Sequence, residues 1–471
     1  MSLQFITGGS GAGKSEYLSR LVCEESVRRP HDNFIVVVPE QYTMETQKKL
    51  VHMHSRKGIL NIDVVSFERL AYKVFEELGG GNRPVLDDTG KNLIVRRVLE
   101  KEKKKLDYFG SSIEKTGFVS ELKSVISELL QYGITPQQLG EIGENVKEKQ
   151  QLSAKLKDIR LVYKEFMAFL STNYITSEEI LDVLCGLVEK SKLIAGSEII
   201  FDGFTGFTPI QYKLMRLLLV YSKSIKISVT IDKKERPTGH EGWNNLFFMS
   251  KEMMNRLIAI CEEEGINVDD TVCVDRDINY RYEGAKDLAY LERNLFRYKG
   301  GVYTGTPENI RIYEGSNPKE ELQYIVSEIL QLTRKEGFRY RDIAVVTADL
   351  ETYGKVAANM MKQNDIPAFL DYKRSVASNP YVEMLCSALE IVEKGYPYDT
   401  MFRYLRTGLT GISRHDIDML ENYCLAVGIR GSRAWHEPWK KKMKRSTYQP
   451  ELETLNALRE QIMAPFLNLE A

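Results

Sequence analysis

Eight residues, Gly8-Gly9-Ser10-Gly11-Ala12-Gly13-Lys14-Ser15, follow directly on the apolar run 3–7 and lead into a helical stretch that starts at Glu16. They fit the pattern GxxxxGK[ST] in its required strand–loop–helix setting. The glycines let backbone N–H groups curl around one anion, and the helix start adds the positive end of its dipole. In that arrangement Lys14 reaches the β- and γ-phosphates of a nucleoside triphosphate such as ATP, and the Ser15 hydroxyl holds Mg²⁺. A chance match in a chain of this length has a probability of only ~0.02 at average glycine usage. A Gly-rich turn without a ligand is the plainer alternative, and the flanking elements argue against it.

Apolar runs rich in β-branched residues recur at 3–7, 34–38, 62–65, 199–202, 225–231, 309–313 and 342–347, separated by stretches of helical periodicity. This alternation predicts parallel α/β sheets. Between 89 and 191 the pattern is helical only, and Leu122, Val125, Ile126, Leu129 and Leu130 form an amphipathic stripe. One sheet domain is therefore expected to be split by a helical insertion of about a hundred residues. A second sheet segment begins near 307, and its first helix has Asn317 as cap, Pro318 at the first position and Glu320 three residues after the cap. Past 390 the chain turns helical again, and 450–471 reads as a helix with no final strand. A second sheet left unfinished predicts a fragment of a longer protein.

Composition excludes several classes. With 43% hydrophobic and 28% charged residues, the 471-residue chain is ordinary globular material of two to four domains. No apolar run approaches the ~18–20 residues that span a bilayer, and no signal peptide is present, so a cytoplasmic protein without a membrane partner is expected. Cys23, Cys185, Cys261, Cys273, Cys386 and Cys424 lie far apart without a CxxC pair and read as reduced thiols. The net charge of −1 means that nucleic acid would be met by local patches.

The residues after the loop carry a resemblance. Phe34-Ile35-Val36-Val37-Val38-Pro39-Glu40-Gln41-Tyr42-Thr43, then Val64-Val65-Ser66-Phe67-Glu68-Arg69-Leu70-Ala71-Tyr72, then Phe201-Asp202-Gly203-Phe204-Thr205-Gly206-Phe207-Thr208-Pro209, then Leu288-Ala289-Tyr290-Leu291-Glu292-Arg293-Asn294-Leu295-Phe296 resemble the AddB/RexB family. Members of that family are the B component of an ATP-dependent helicase/deoxyribonuclease that processes double-strand breaks for homologous recombination. The resemblance covers the whole chain. It implies RecA-like P-loop NTPase domains of superfamily 1, UvrD-like helicase type, each interrupted by a helical insertion. The expected divisions are 1–88 and 196–305 for domain 1A, 89–195 for insertion 1B, 306–392 for the first half of 2A, and 393–471 for a truncated 2B-like region. It implies members more than twice this length, whose later part holds the rest of 2A, a 5′→3′ exonuclease domain and a [4Fe–4S] cluster. It also implies a heterodimer with an AddA-type helicase/nuclease partner, and binding of single-stranded and duplex DNA.

Hydrolysis by such a fold needs a carboxylate near the attacking water and cations on the developing charge. UvrD-like motors end the second acidic strand in Asp-Glu. Here Asp202 keeps the Mg²⁺-side carboxylate, but Gly203 stands where the glutamate belongs. The segment 342–348 resembles a motor motif that carries an arginine near the γ-phosphate, and Ala348 stands at that position. The adenine-reading glutamine segment is also missing. Loss of one such group costs ~10²–10³ in rate, so ATP binding with little or no turnover is expected, and no nuclease activity from this part. Glu40 or Asp232 substituting for the missing acid is the alternative.

The resemblance places single-stranded DNA, and recognition of the Chi sequence, on the loops after the strands of 1A. Gln41, Thr43, Phe67, Arg69 and Tyr72 are the matching candidates, with Phe204 and Phe207 weaker ones. Amides read base edges, hydroxyls and arginines bind phosphate, and aromatics stack on bases. Helix-face packing is the other reading of Phe67 and Tyr72, and a structural cap that of Gln41 and Thr43. Two basic clusters are candidates for duplex DNA: 91–105, with Arg96, Arg97, Lys101, Lys103, Lys104 and Lys105, and 430–445, with Arg433, Lys440, Lys441, Lys442 and Lys444 beside Trp435 and Trp439. A solvated face is the alternative for both. An active P-loop translocase, or a structural partner that ATP merely stabilises, are the competing functions.

Overall fold

The computed structural model describes all residues except 80–83, 116, 147–148, 177, 236–241, 298–300, 372–375, 377, 444–450 and 471, with the backbone alone for 171–173. The strands are β1 (Ser2–Gly8), β2 (Phe34–Val37), β3 (Ile62–Val65), β4 (Val85–Leu86), β5 (Ile175–Thr176), β6 (Glu198–Phe201), β7 (Ser224–Thr230), β8 (Asn267–Val268) and β9 (Val272–Cys273). Seven of them form one parallel sheet in the order β3-β2-β6-β7-β1-β8, with β9 also pairing β1. The chain is thus an α/β protein, and two compact units divide it at 311/312.

Alternation along the strands builds the first unit. Phe5, Ile35, Val37, Phe201, Ile225 and Ile227 face one layer of helices that includes Phe67–Leu78, Pro209–Tyr221 and Phe248–Glu264. Their neighbours Ile6, Phe34, Val36 and Ile200 face the helix Lys14–Arg28 through Leu18 and Val22, and Leu50 of the helix Thr43–Met53. Both faces are covered, so the strands read as continuous apolar runs. Expected runs 3–7, 34–38, 62–65, 199–202 and 225–231 all became strands within a residue or so.

The helices Asp88–Glu102, Phe118–Gln131, Pro136–Asn145 and Gln150–Asn173 pack around their own core, with Val95, Leu99, Leu122, Ile126, Val162 and Phe166 inside. Val125 of the expected stripe instead faces out. This helical body leaves and rejoins the sheet domain through the parallel pair β4–β5. Lys91 is 2% exposed and donates to both carboxylate oxygens of Glu178 at 2.8 and 2.9 Å.

The second unit departs from expectation. The helix Pro318–Lys335 starts as expected, the Asn317 side chain accepting the Glu320 N–H at 3.0 Å. The segments 309–313 and 342–347, expected as strands of a second sheet, are not strands. β-branched residues favour an extended chain, but a strand exists only where a neighbour takes up its N–H and C=O groups. Val346 and Phe369 are each 91% exposed, beside a cleft that Leu322, Ile325 and Ile329 also line. The described residues of 380–470 fold into helices around Trp435, Trp439, Phe402 and Phe466.

Removing Glu178 would take from the buried Lys91 ammonium its two shortest carboxylate contacts, with Asp88 farther off at 3.4 Å. Glu178→Ala is expected to destabilise the helical insertion by about 2 kcal/mol. Chemical denaturation followed by circular dichroism checks this, and a loss below ~0.5 kcal/mol would show the pair to be dispensable.

Candidate functional site

The loop 9–13 closes on itself at the end of β1. Gly11 and Gly13 have φ of 72° and 96°, a left-handed conformation that only glycine adopts cheaply. No side chain caps the helix Lys14–Arg28, so its first N–H groups are left for another acceptor. The Lys14 ammonium donates to the carbonyls of Gly8 and Gly9, 2.9 Å each. Burial pushes its proton affinity down, Asp202, Asp275 and Glu292 pull it up, and Arg281 adds to the lowering.

A strap after β9 roofs this loop. The Arg281 N–H donates to the Gly11 carbonyl at 3.3 Å, and the buried Asn279 amide donates to the Ser10 carbonyl at 3.3 Å. A Cβ on Gly11 would lie 2.6 Å from that of Arg281, and one on Gly13 would lie 3.4 Å from the Tyr280 ring. The guanidinium of Arg276 stacks on the same ring, 3.5 Å from its centroid. Asn279, Tyr280 and Arg281 are functional candidates that no sequence motif singles out. Their one local signal is an Asn-Tyr-Arg-Tyr run after a strand; their position on the loop is a long-range matter.

Asp202 ends β6 and accepts the Ser228 hydroxyl at 2.6 Å. The Gly203 N–H donates to the same hydroxyl at 3.3 Å, and Gly203 turns left-handed with φ 84° against Pro39. Glycine there is a backbone requirement, and a glutamate would be strained. The two acids named as substitutes are occupied: Glu40 pairs with Arg69 at 2.9 Å, and Asp232 accepts from Arg297 at 2.8 Å. The acid that does reach the loop is Glu292 of the helix Lys286–Asn294. Its Oε1 is 3.2 Å from where a Cβ on Gly9 would stand, with an Asp275 oxygen at 3.4 Å from the same point. Burial raises the pKa of Glu292, Asp232 and Asp275 raise it further, and Arg297 and the Ser10 N–H oppose them.

Among the described residues no cluster of three or more His, Cys, Asp and Glu side chains converges as a metal site. Ser15 and Asp202 together offer one hydroxyl and one carboxylate. That donor set fits a magnesium ion that takes its remaining ligands from phosphate and water. All six cysteines are free thiols. No helix among the described residues is long and apolar enough to cross a membrane.

Expected strand-binding residues divide by burial. Gln41, Arg69 and Tyr72 are exposed. Thr43 is buried, and its hydroxyl donates to the Glu40 carbonyl at 2.9 Å, holding the turn before its helix. Phe67, 7% exposed, packs against Phe201, Phe204 and Phe207 with ring centroids 5.4–6.0 Å away. Phe67 thus supports the half-buried Phe204 and Phe207 from below, since a ring enclosed by three others has no free face for a base. In the first basic cluster, Arg96, Lys101, Lys103 and Lys105 pair with Glu100, Glu165, Glu114 and Glu102. Arg97 lies over the Phe169 ring. In the second, Trp435 and Trp439 are core residues that cannot stack on a base; Arg433 pairs with Glu437, and Lys444 and Arg445 lie outside the described residues.

Because the fold holds the Glu292 proton more firmly than the unfolded chain, whose glutamates sit near 4.5, the ionised carboxylate works against the folded state. Its contribution is complete below the unfolded value and is lost as pH rises through the folded one. Glu292→Gln is therefore expected to raise the melting temperature near pH ~7, with the gain closing toward pH ~4. A pH-independent difference in a thermal scan would contradict this.

A protein-family model described as ADDB, N-terminal matches residues 5–292. Across all of its length the chain is 42% identical to the B component of the ATP-dependent helicase/deoxyribonuclease of Lachnoclostridium phytofermentans, covering 41% of that protein. It is 36% identical to the protein of the same name from Caldanaerobacter subterraneus subsp. tengcongensis, over 99% of the chain and 40% of the relative. Against that of Clostridioides difficile the figures are 35%, 100% and 41%. The chain thus spans about two fifths of the length of these curated relatives.

Proposed function

Since this chain belongs to the AddB family, we propose that it is the nucleotide-binding, strand-guiding N-terminal part of the B component of an ATP-dependent helicase/deoxyribonuclease. In the full-length protein it would work beside an AddA-type partner in recombinational break repair. The observation that carries the reading is the loop 8–15, where two left-handed glycines, an uncapped helix start and Lys14 converge on one point. This convergence supports a RecA-like P-loop, and it suits the phosphates of ATP.

Each residue then has a task. Backbone N–H groups of the loop receive phosphate oxygens, and Lys14 exchanges the carbonyls of Gly8 and Gly9 for them. Ser15 and Asp202 would hold Mg²⁺, which when bound supplies positive charge between phosphates. Tyr280 gives a flat face beside the loop, and Arg281 a cation. Hydrolysis is slow because no strand-end acid serves the attacking water: Gly203 is fixed as glycine by its φ, and Glu40 and Asp232 are tied to arginines.

The exposed Gln41, Arg69 and Tyr72 lie on the loops and helices that follow β2 and β3, and they form the proposed path for single-stranded DNA and for Chi recognition, with Phe204 and Phe207 at the margin. The 342–347 segment of the second unit would find its neighbours in the remainder of domain 2A, which the longer relatives have room to carry.

Two measurements test this. Lys14→Ala is expected to abolish binding of a fluorescent ATP analogue, while steady-state turnover by the native chain stays below ~1 s⁻¹ and Gly203→Glu fails to raise it. Turnover above that level in the native chain would overturn the loss of motor function, and turnover gained by Gly203→Glu would overturn the backbone requirement for glycine there. Tyr72→Ala and Arg69→Ala are each expected to weaken oligonucleotide binding about tenfold, the worth of one stacked base or charged contact. Unchanged affinity in both would move the strand path elsewhere.

A further inference from the structure

We propose that Glu292 is a specificity-determining residue: its carboxylate stands where the third phosphate of a nucleotide would lie, so it sets the preference of the loop between diphosphate and triphosphate. The inference rests on the nucleotide reading of residues 8–15 and goes beyond it.

The direction of the loop identifies the position. The helix start at Gly13 and Lys14 marks the end that grips the inner phosphates. Lys14 spans from there toward the outer phosphate, and its ammonium already rests on Gly8 and Gly9. Glu292 approaches this outer end, within 3.2 Å of the Cβ position of Gly9 and facing the Ser10 N–H. An N–H that would serve a phosphate oxygen is thus turned toward a carboxylate of the chain itself.

The neighbours do not cancel that charge. Asp275 stands beside the same point, and Asp202 lies within reach of Lys14. Arg297, the cation that acts on the Glu292 carboxylate, is itself held by the Asp232 carboxylate at 2.8 Å and the Glu292 main-chain carbonyl at 2.7 Å. The helix that carries Glu292 is itself anchored, because the buried Asp287 near its start accepts the N–H groups of Glu308 and Asn309 at 3.0 and 2.7 Å. A diphosphate fills the inner part of the loop without meeting Glu292. A triphosphate must turn the side chain aside or face a like charge a few ångströms away.

The test is isothermal titration of Mg-ADP and of a non-hydrolysable Mg-ATP analogue into the native chain, Glu292→Gln and Lys14→Ala. Glu292→Gln, which keeps the shape and removes the charge, is expected to raise the triphosphate-to-diphosphate affinity ratio about tenfold. Should that variant not fold, Glu292→Asp, which draws the charge back by one methylene, is expected to shift the ratio the same way by about threefold. A ratio that stays within about twofold, with Lys14→Ala abolishing both titrations, overturns the selection by Glu292 and leaves the nucleotide site standing. No heat of binding from either nucleotide with any of the chains overturns both.

Discussion

Residues Leu3 to Gly8 of β1 pair in parallel with Ile225 to Thr230 of β7, and this register holds the loop in place. Parallel pairing brings the C-terminal ends of the strands together along one edge, so Gly8, Phe201 and Thr230 all finish on the same side. Everything chemical in the first unit stands on that edge: the glycine loop, Asp202, the turn through Gly203, and the strap after β9. A slip of one residue would turn every side chain of β1 to the opposite face and carry Lys14 away from Asp202. The Ile6 and Phe5 layers, buried on opposite faces, make such a slip costly, at ~1.5–3 kcal/mol for each large apolar side chain brought out.

The edge is also crowded with charge. Lys14 shares its surroundings with Asp202, Asp275 and Glu292, answered chiefly by Arg281. The glycine loop is thereby ringed by the chain's own anions, one of them, Asp232, tied off by Arg297. A motor of this class ordinarily concentrates its acids on the second acidic strand. Here the strand ends in a left-handed glycine, and the surplus carboxylate arrives from a helix some ninety residues further along.

What could be read beforehand follows from the range of the interactions involved. The glycine loop and the Asn317 cap are local, set by residues a few positions apart, and both appear as read. Strand runs in the first unit were legible because helices cover both faces of the sheet, which makes each strand a continuous apolar run however distant its neighbour in sequence. The segments 309–313 and 342–347 have the same composition, yet composition specifies an extended chain and says nothing of a partner. Phe67, Trp435 and Trp439 failed for a different reason: an aromatic suits both a stacked base and a packed core, and only burial separates the two. Glu292 and Arg281 reach the loop across more than 260 residues, a distance over which spacing carries no signal.

The interior position of β1 in the sheet has a cost during synthesis. Its hydrogen-bonding partners, β7 on one side and β8 and β9 on the other, come more than two hundred residues later. At ~5–20 residues per second that is a wait of roughly ten to forty seconds, with an apolar strand exposed outside the ribosome. The helical insertion, whose contacts are mostly among its own residues, can mature in the meantime. The nascent chain therefore presents a finished helical bundle tethered to an orphan strand, a state that invites a chaperone.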